Sequence, residues 1–351
     1  MRMISVALVL ILFVLALAVP PERRPPRGPV ESGGPLVGAH YYPWYDHERW
    51  AGQPATDTPT LGRYSSADHA VAAQHIRWAK QADIDFFMIS CLSPDGPEAK
   101  TLRASVVPAL EEAAFRFALH YETPIALGLR PDKPIDLAAK LPDGTIAGDR
   151  LSEHFDHLAE TYLRHPQYLR HDGKAVVMVY LVRNMENAGP YLKTVRERLA
   201  GRGVELYLIA DVMYWERPGE LDWPFLQEHF QAVTAYNMYH RPEFLSGVKR
   251  QYEATDLAAR ARGLRMIPNV MPGYDDTRLR GAGRTTIDRV GGAFYRDYWR
   301  LASEHVRHDQ PFLLITTFNE WHEGTEIEPS AEYGNAFLRQ TREMAKELRN
   351  R

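Results

Sequence analysis

Eight short apolar runs recur along the chain: Leu36 to Tyr41, Ile84 to Ser90, Arg116 to Tyr121, Ala175 to Tyr180, Glu205 to Ala210, Ala232 to Tyr236, Met266 to Met271 and Phe312 to Thr317. Each is short and rich in β-branched or aromatic residues, so each predicts a buried strand. Between them, helical spacing of apolar positions covers Ala67 to Gln81, Thr101 to Ala114, Leu151 to Arg164, Pro190 to Ala200, Phe244 to Arg262 and Gly292 to Val306, with Ala331 to Leu348 closing the chain. The fifth crossover, Glu216 to Gln227, carries Pro218 and Pro224, which predict a short or irregular helix there. Strands alternating with helices pair in parallel through right-handed crossovers. Eight such units close into a (β/α)8 barrel, an α/β fold.

That register makes a second prediction: the residues just after each strand should line one mouth. They are polar and aromatic: His40 to Tyr45, Ser90 to Ser93, His120 to Glu122, Tyr180 to Asn184, Asp211 to Trp215, Tyr236 to His240, Pro272 to Asp276 and Asn319 to Glu323. Catalytic groups of such barrels collect at the C-terminal ends of the strands.

Before Leu36 the pattern changes. Met1-Arg2-Met3 and the apolar stretch Ile4 to Val19, with Ala16-Leu17-Ala18 as a small-x-small site, read as a signal peptide or an N-terminal membrane anchor over residues 1–19. Residues 20–35, dense in Pro, Gly and Arg, read as an extended linker. The expectation is an exported protein, periplasmic, extracellular or tethered to the membrane, with a single barrel domain over residues 36–351. A formal net charge of -3 without a basic run beyond the linker leaves no footprint for nucleic acid. The lone Cys91 excludes an internal disulfide and thiolate clusters and reads as a small buried residue. No metal or other cofactor is expected, and the protein is expected to be a monomer.

The densest chemistry lies in the eighth loop, where Glu320 and Glu323 stand three residues apart. Cleaving a glycosidic bond needs an acid to protonate the leaving oxygen and a second group to act at the anomeric carbon. Neighbouring carboxylates raise each other's proton affinity, which suits the acid. Trp321 and His322 between them are placed to stack on a sugar or to tune the pair. Four glutamates, Glu320, Glu323, Glu326 and Glu328, also fit a solvated acidic loop, but Asn319 and Trp321 argue against it. His322-Glu323-Gly324-Thr325-Glu326 departs from a zinc-protease helix at its fifth position and at Gly324. Calcium on Asp275, Asp276 or the eighth loop stays open, although no Asp-x-Asp-x-Asp-Gly loop is present. Neither a Gly-x-Ser-x-Gly elbow nor a phosphate loop occurs.

Three segments, Tyr41-Tyr42-Pro43-Trp44-Tyr45, Pro272-Gly273-Tyr274-Asp275-Asp276 and Asn319-Glu320-Trp321-His322-Glu323-Gly324-Thr325-Glu326-Ile327-Glu328-Pro329, resemble glycoside hydrolase family 99, the endo-α-mannosidase and endo-mannanase family. The likeness runs from Leu36 to the C-terminus. It implies a single (β/α)8 barrel that cuts inside α-mannosyl chains with retention and without an enzyme nucleophile. Carried over by motif, Glu320 is the base that deprotonates the substrate's own 2-hydroxyl, and that oxygen then forms a 1,2-anhydro sugar. Glu323 is the acid for the leaving group and afterwards the base for water. Tyr41 or Tyr42, Glu122 and Tyr236 resemble subsite residues of the family. Trp44, His120, Tyr274, Asn319, Trp321 and His322 complete the candidate substrate-binding set. The chain departs from the family after the second strand, where Cys91-Leu92-Ser93 stands in place of a tryptophan, and in the insertion Thr123 to Asp149. Related barrels sit in polysaccharide biosynthesis clusters, so a carbohydrate-binding or polysaccharide-assembly barrel without hydrolysis is the competing reading.

Overall fold

The computed structural model of the protein describes residues 34–212, 221–236, 244–309 and 312–351. The apolar N-terminal segment and nearly all of the linker lie outside the described residues, as do rim positions 213–215 and 237–240 and the first part of the fifth crossover. Among the described residues, no helix is long and apolar enough to cross a membrane.

The barrel is built from β1 (Leu36–Tyr41), β2 (Phe86–Cys91), β3 (Arg116–Tyr121), β4 (Lys174–Val179), β5 (Leu206–Asp211), β6 (Ala232–Thr234), β7 and β8 (Phe312–Ile315). β7 comes in two pieces, Arg265–Ile267 and Asn269–Val270, either side of Pro268. Every strand pairs in parallel with its sequence neighbour, and β1 pairs with β8 from Leu36↔Phe312 to Ala39↔Ile315. The first piece of β7 pairs with β6 and the second with β8, which closes the sheet on itself. Pro268 has no N–H to give to a ladder, so the seventh run breaks there into halves that serve different neighbours. The pattern predicts one unbroken strand at that place.

Helices follow the strands. They are α1 (His69–Gln81), α2 (Pro97–Thr101, running on through Leu102–Val106 into Val107–Glu112), α3 (Ala147–Leu158), α4 (Gly189–Ala200), α5 (Trp223–His229), α6 (Phe244–Arg260), α7 (Ala293–Ser303) and α8 (Ala336–Arg349). Asp68 starts α1 by accepting a hydrogen bond from the Ala70 N–H at 2.8 Å. α5 is seven residues long and opens with Pro224 inside its first turn, which fits the short crossover expected of that segment.

Side chains alternate across each strand. In β1, Val37, Ala39 and Tyr41 face the helices, while Leu36 joins Phe86, Met88, Val176, Met178 and Leu314 inside the barrel. Gly38 faces that interior, where a Cβ would lie 2.2 Å from the Phe86 ring. The ring fills the space a side chain at position 38 would take, so the axis is packed as a core. The insertion after β3 forms a short helix, Thr123–Ala126, and a two-residue strand, Ile135–Asp136, paired with Met185–Glu186.

Candidate active site

Strand parity decides which tyrosine reaches the mouth. Tyr41 points outward, stacks on Phe87 at 4.6 Å and shares a hydrogen bond of 3.1 Å with His75 Nδ1. It is therefore not brought to the cleft, which corrects its place among the candidate binding residues. Tyr42 points inward and its hydroxyl bonds the Tyr236 hydroxyl. Burial and then the charges of Glu122, Glu320 and Glu323 hold the Tyr42 phenol well above its ordinary range. Trp44 lies against Tyr42 with ring centroids 4.3 Å apart and carries the Arg49 guanidinium 3.9 Å from its ring centroid.

The eighth loop returns on itself. The Thr317 N–H donates to the Thr325 carbonyl at 2.8 Å and the Glu328 N–H donates to the Phe318 carbonyl at 2.8 Å, so both ends of the loop are pinned together. Its four glutamates divide into two pairs. Glu326 accepts from Arg289, whose Nη1 and Nη2 also reach the Glu326 and Gly324 carbonyls at 2.8 and 3.0 Å. Glu328 accepts from the Tyr64 hydroxyl at 2.8 Å and from Trp321 Nε1 at 3.0 Å, and meets His75 Nε2 at 3.1 Å. These two are internal anchors. A solvated acidic loop has no such partners, so that reading falls.

Glu320 and Glu323 are left for the mouth. The Glu320 side chain is 5% exposed, and its Oε1 receives the His322 N–H and faces His322 Nδ1, both at 3.2 Å. The His322 ring stacks on Tyr45, centroid to centroid 5.3 Å. Glu323 is 15% exposed on its side chain, and Arg280 donates to its Oε1 from both terminal nitrogens at 3.1 and 3.2 Å. Burial and then the Glu320 charge push the Glu323 carboxyl up to about 7, against the pull of Arg280. Gly324 has φ +60, and a Cβ there would meet Asp275 backbone atoms at 3.1 Å. That close approach lets the Asp275 N–H donate to the Glu323 carbonyl at 2.8 Å, locking the seventh loop to the eighth.

Glu122 follows the last residue of β3 and accepts from Ser90 Oγ at 2.9 Å. Burial pushes its carboxyl up to about 8, with Asp211, Glu320 and Glu323 adding to the effect. Beneath it, His120 stands 3.7 Å from Glu122 Oε1 and is pushed down to about 3 by burial, so it is a neutral imidazole at working pH. Tyr236, Tyr42, Glu122, Glu320, His322 and Glu323 thus gather at one end of the barrel.

Not every candidate faces that space. Trp321 is fully buried and spends its N–H on Tyr64 and Glu328, so it is an anchor and not a stacking platform. Asn319 brackets the Tyr42 backbone, accepting from its N–H at 2.8 Å and donating to its carbonyl at 3.0 Å. The Tyr274 hydroxyl donates to Asp276 at 2.7 Å and supports the seventh loop from the core side. The Asp276 carboxylate is filled by Arg280 at 2.7 Å and Arg284 at 3.0 Å, and Asp275 Oδ1 by Thr277, which removes both from a calcium site. Cys91 is buried on the outer face of β2, where burial pushes its thiol up to about 12. None of Cys91, Leu92 and Ser93, the residues of the departure after β2, carries an aromatic ring for stacking.

The sequence profile of Glycosyl hydrolase family 99 matches residues 29–336. The chain belongs to glycosyl hydrolase family 99. It is 27% identical over 281 residues to a glycoprotein endo-alpha-1,2-mannosidase-like protein of Homo sapiens, covering 77% of this chain and 56% of that protein. It is 24% identical over 280 residues to the glycoprotein endo-alpha-1,2-mannosidase of Rattus norvegicus, with 77% and 56% covered. The chain thus spans a little over half the length of these relatives. Its fold matches the family 99 endo-alpha-mannosidase of Bacteroides thetaiotaomicron with TM-score 0.71 at 21% identity, over 90% of this chain and 97% of that one.

Within this family 99 barrel, the sequence reading missed Arg280 and Tyr64, and it placed Tyr45 and Ser90 in the rim runs without giving either a role. Arg280 follows Asp276 by four residues on the short helix Thr277–Arg280, a spacing that reads as an ordinary surface pair. Ser90 carried a usable signal, since it shares inward parity with Met88 on β2.

Proposed function

We propose that the chain is a retaining, endo-acting α-mannosidase-type glycoside hydrolase working through a 1,2-anhydro sugar. The observation that carries this reading is the split between two adjacent acids. Glu323 is pushed up to about 7 and so keeps a transferable proton near neutral pH. Glu320 sits among donors from His322, the setting of a carboxylate that accepts. In an α-mannoside the 2-oxygen is axial and anti to the leaving group, so the sugar can supply its own nucleophile. Glu320 takes the proton from the 2-hydroxyl as that oxygen attacks the anomeric carbon, and Glu323 protonates the departing glycosidic oxygen. In the second half Glu323 takes a proton from water, the water attacks the anomeric carbon, and the 2-oxygen recovers its proton from Glu320. Two inversions give retention.

Tyr42 and Tyr236 are bonded to each other within reach of both acid charges, and Trp44 flanks Tyr42, an arrangement that suits a glycan lying across the mouth. The names of the curated relatives and the residues of the eighth loop support mannose as the sugar. We further propose that the protein is exported, with Ile4 to Val19 as signal or tether. The test is turnover of α-mannobiosyl fluoride and of α-mannosyl oligosaccharides by the full chain. Glu323→Gln should abolish cleavage of the oligosaccharides, whose leaving oxygen needs the proton, while oligosaccharide binding stays within a few-fold. Binding without cleavage by the wild-type protein would instead favour a non-hydrolytic glycan-binding barrel.

A further inference from the structure

We propose that His75 and Glu328 are positioning residues that act through Trp321 to hold the backbone carrying Glu320 and Glu323. The proposal rests on the reading of those two acids as base and acid. His75 belongs to α1, on the outer layer, and Glu328 closes the eighth loop, yet both side chains are completely buried. A carboxylate is kept at such a place only when its oxygens are matched. Here Oε1 faces His75 Nε2 at 3.1 Å, while Oε2 accepts from Tyr64 and Trp321 at 2.8 and 3.0 Å. The other imidazole nitrogen of His75 is engaged by the Tyr41 hydroxyl at 3.1 Å, so the ring cannot turn without losing a partner.

The link to the chemistry runs through Trp321, which lies between the two acids in sequence. Its indole N–H is fixed by Glu328, and its backbone N–H donates to the Tyr45 hydroxyl at 3.1 Å. The same Tyr45 hydroxyl donates to the Asn319 carbonyl at 2.7 Å, so the peptide groups on both sides of Glu320 hang from one frame. The Glu328 N–H is itself bonded to the Phe318 carbonyl at 2.8 Å, directly under the start of the loop. None of His75, Glu328 or Trp321 bonds either acid side chain in this network, so the effect on them is indirect.

Loosening this frame should let the two acids separate and water enter, and both changes relieve what raises the proton affinity of Glu323. Among the described residues, the charged and titratable groups around Glu323 include Glu320, His322, Arg280, Asp276, Glu122, Tyr42 and Tyr236. All of them are retained in the variants below. The experiment follows the side-chain carboxyl carbon of Glu323 by NMR in glutamate-labelled full-length protein, with the signal assigned through Glu323→Gln. The wild type should titrate near 7. Glu328→Ala should lower that midpoint by about one unit or more and, on an α-mannosyl substrate, cut kcat about tenfold to a hundredfold with KM within about threefold.

Glu328→Gln should restore both, because its amide oxygen accepts from Tyr64 and Trp321 while its NH2 donates to His75. Trp321→Phe keeps an aromatic side chain but removes the indole N–H together with the pyrrole half of the ring, so it covers the case in which Glu328→Ala fails to fold, and it should lower the midpoint too. Val195→Ala, a cavity in α4 away from this network, should lower stability and leave the midpoint in place. A wild-type midpoint in both Glu328→Ala and Trp321→Phe overturns the proposal, as does an equal shift in Val195→Ala. The titration needs no turnover, so a protein that cleaves no mannoside would refute the proposed hydrolysis while this readout still judges the frame.

Discussion

Replacing Arg280 by glutamine should move the titration of Glu323 upward, and the size of the move can be worked from the site. The guanidinium donates to Glu323 Oε1 at 3.1 and 3.2 Å and to Asp276 Oδ2 at 2.7 Å. A unit charge about 4 Å away at an effective dielectric near 20 is worth about 4 kcal/mol. The Arg280 side chain is 42% exposed, so solvent screens much of this, and about 1–2 kcal/mol remains. That is about one pH unit. Asp276 keeps Arg284 at 3.0 Å, so its negative charge persists beside Glu323 and pushes the same way. The acid works only when protonated, so the alkaline limb of kcat/KM against pH, set by Glu323 near 7 in the wild type, should rise by about one unit in Arg280→Gln. The assay is that profile on an α-mannosyl oligosaccharide, whose leaving oxygen needs the proton, with direct titration of Glu323 alongside it. An alkaline limb that stays put or falls refutes the assignment of Glu323 as the group that Arg280 restrains.

Two more outcomes follow from the same geometry. Tyr42→Phe removes the hydroxyl paired with Tyr236 and should cut kcat/KM about tenfold or more. Tyr41→Phe, on the outer face, should lower Tm by a few degrees and leave KM unchanged, and a raised KM there would contradict the strand parity. The folded chain holds the Glu122 proton up to about 8, whereas the ordinary value for the group is 4.5. Between those values the native state carries a proton the unfolded chain has released, so stability should fall as pH rises from about 5 to 8, by up to about 4 kcal/mol. Glu122→Gln should flatten that slope in urea unfolding at the two ends of the window, and an unchanged slope would show that Glu122 is not its source.

Most of the barrel was legible because its strands are continuous apolar runs between helical periods. β1 and β3 fall on their predicted residues, and the others end within a few residues of theirs. The break in β7 was in view as Pro268, but which neighbour each half would serve depends on closure of the sheet, which no local pattern carries. Glu320 and Glu323 were legible because they follow a strand end. The fates of Glu326 and Glu328 were not, since a glutamate facing solvent and one bonded to Arg289 or His75 look alike in sequence. The partners of Glu328 come from residues 64, 75 and 321, which only the fold brings together. Trp321 was expected at the cleft because aromatic residues near acids suit sugars, yet its indole N–H found a carboxylate in the interior, and burial won. For Tyr41 and Tyr42 the period of two already held the answer once His40 was set inward.

The most direct test of the central claim, that Glu320 and Glu323 act as base and acid on a mannoside, is proton NMR of the first sugar released from an α-mannosyl oligosaccharide. The account predicts that the α-anomer appears first and then mutarotates, and that Glu320→Gln and Glu323→Gln each abolish its release. Initial formation of the β-anomer, or undiminished release by either variant, would contradict it.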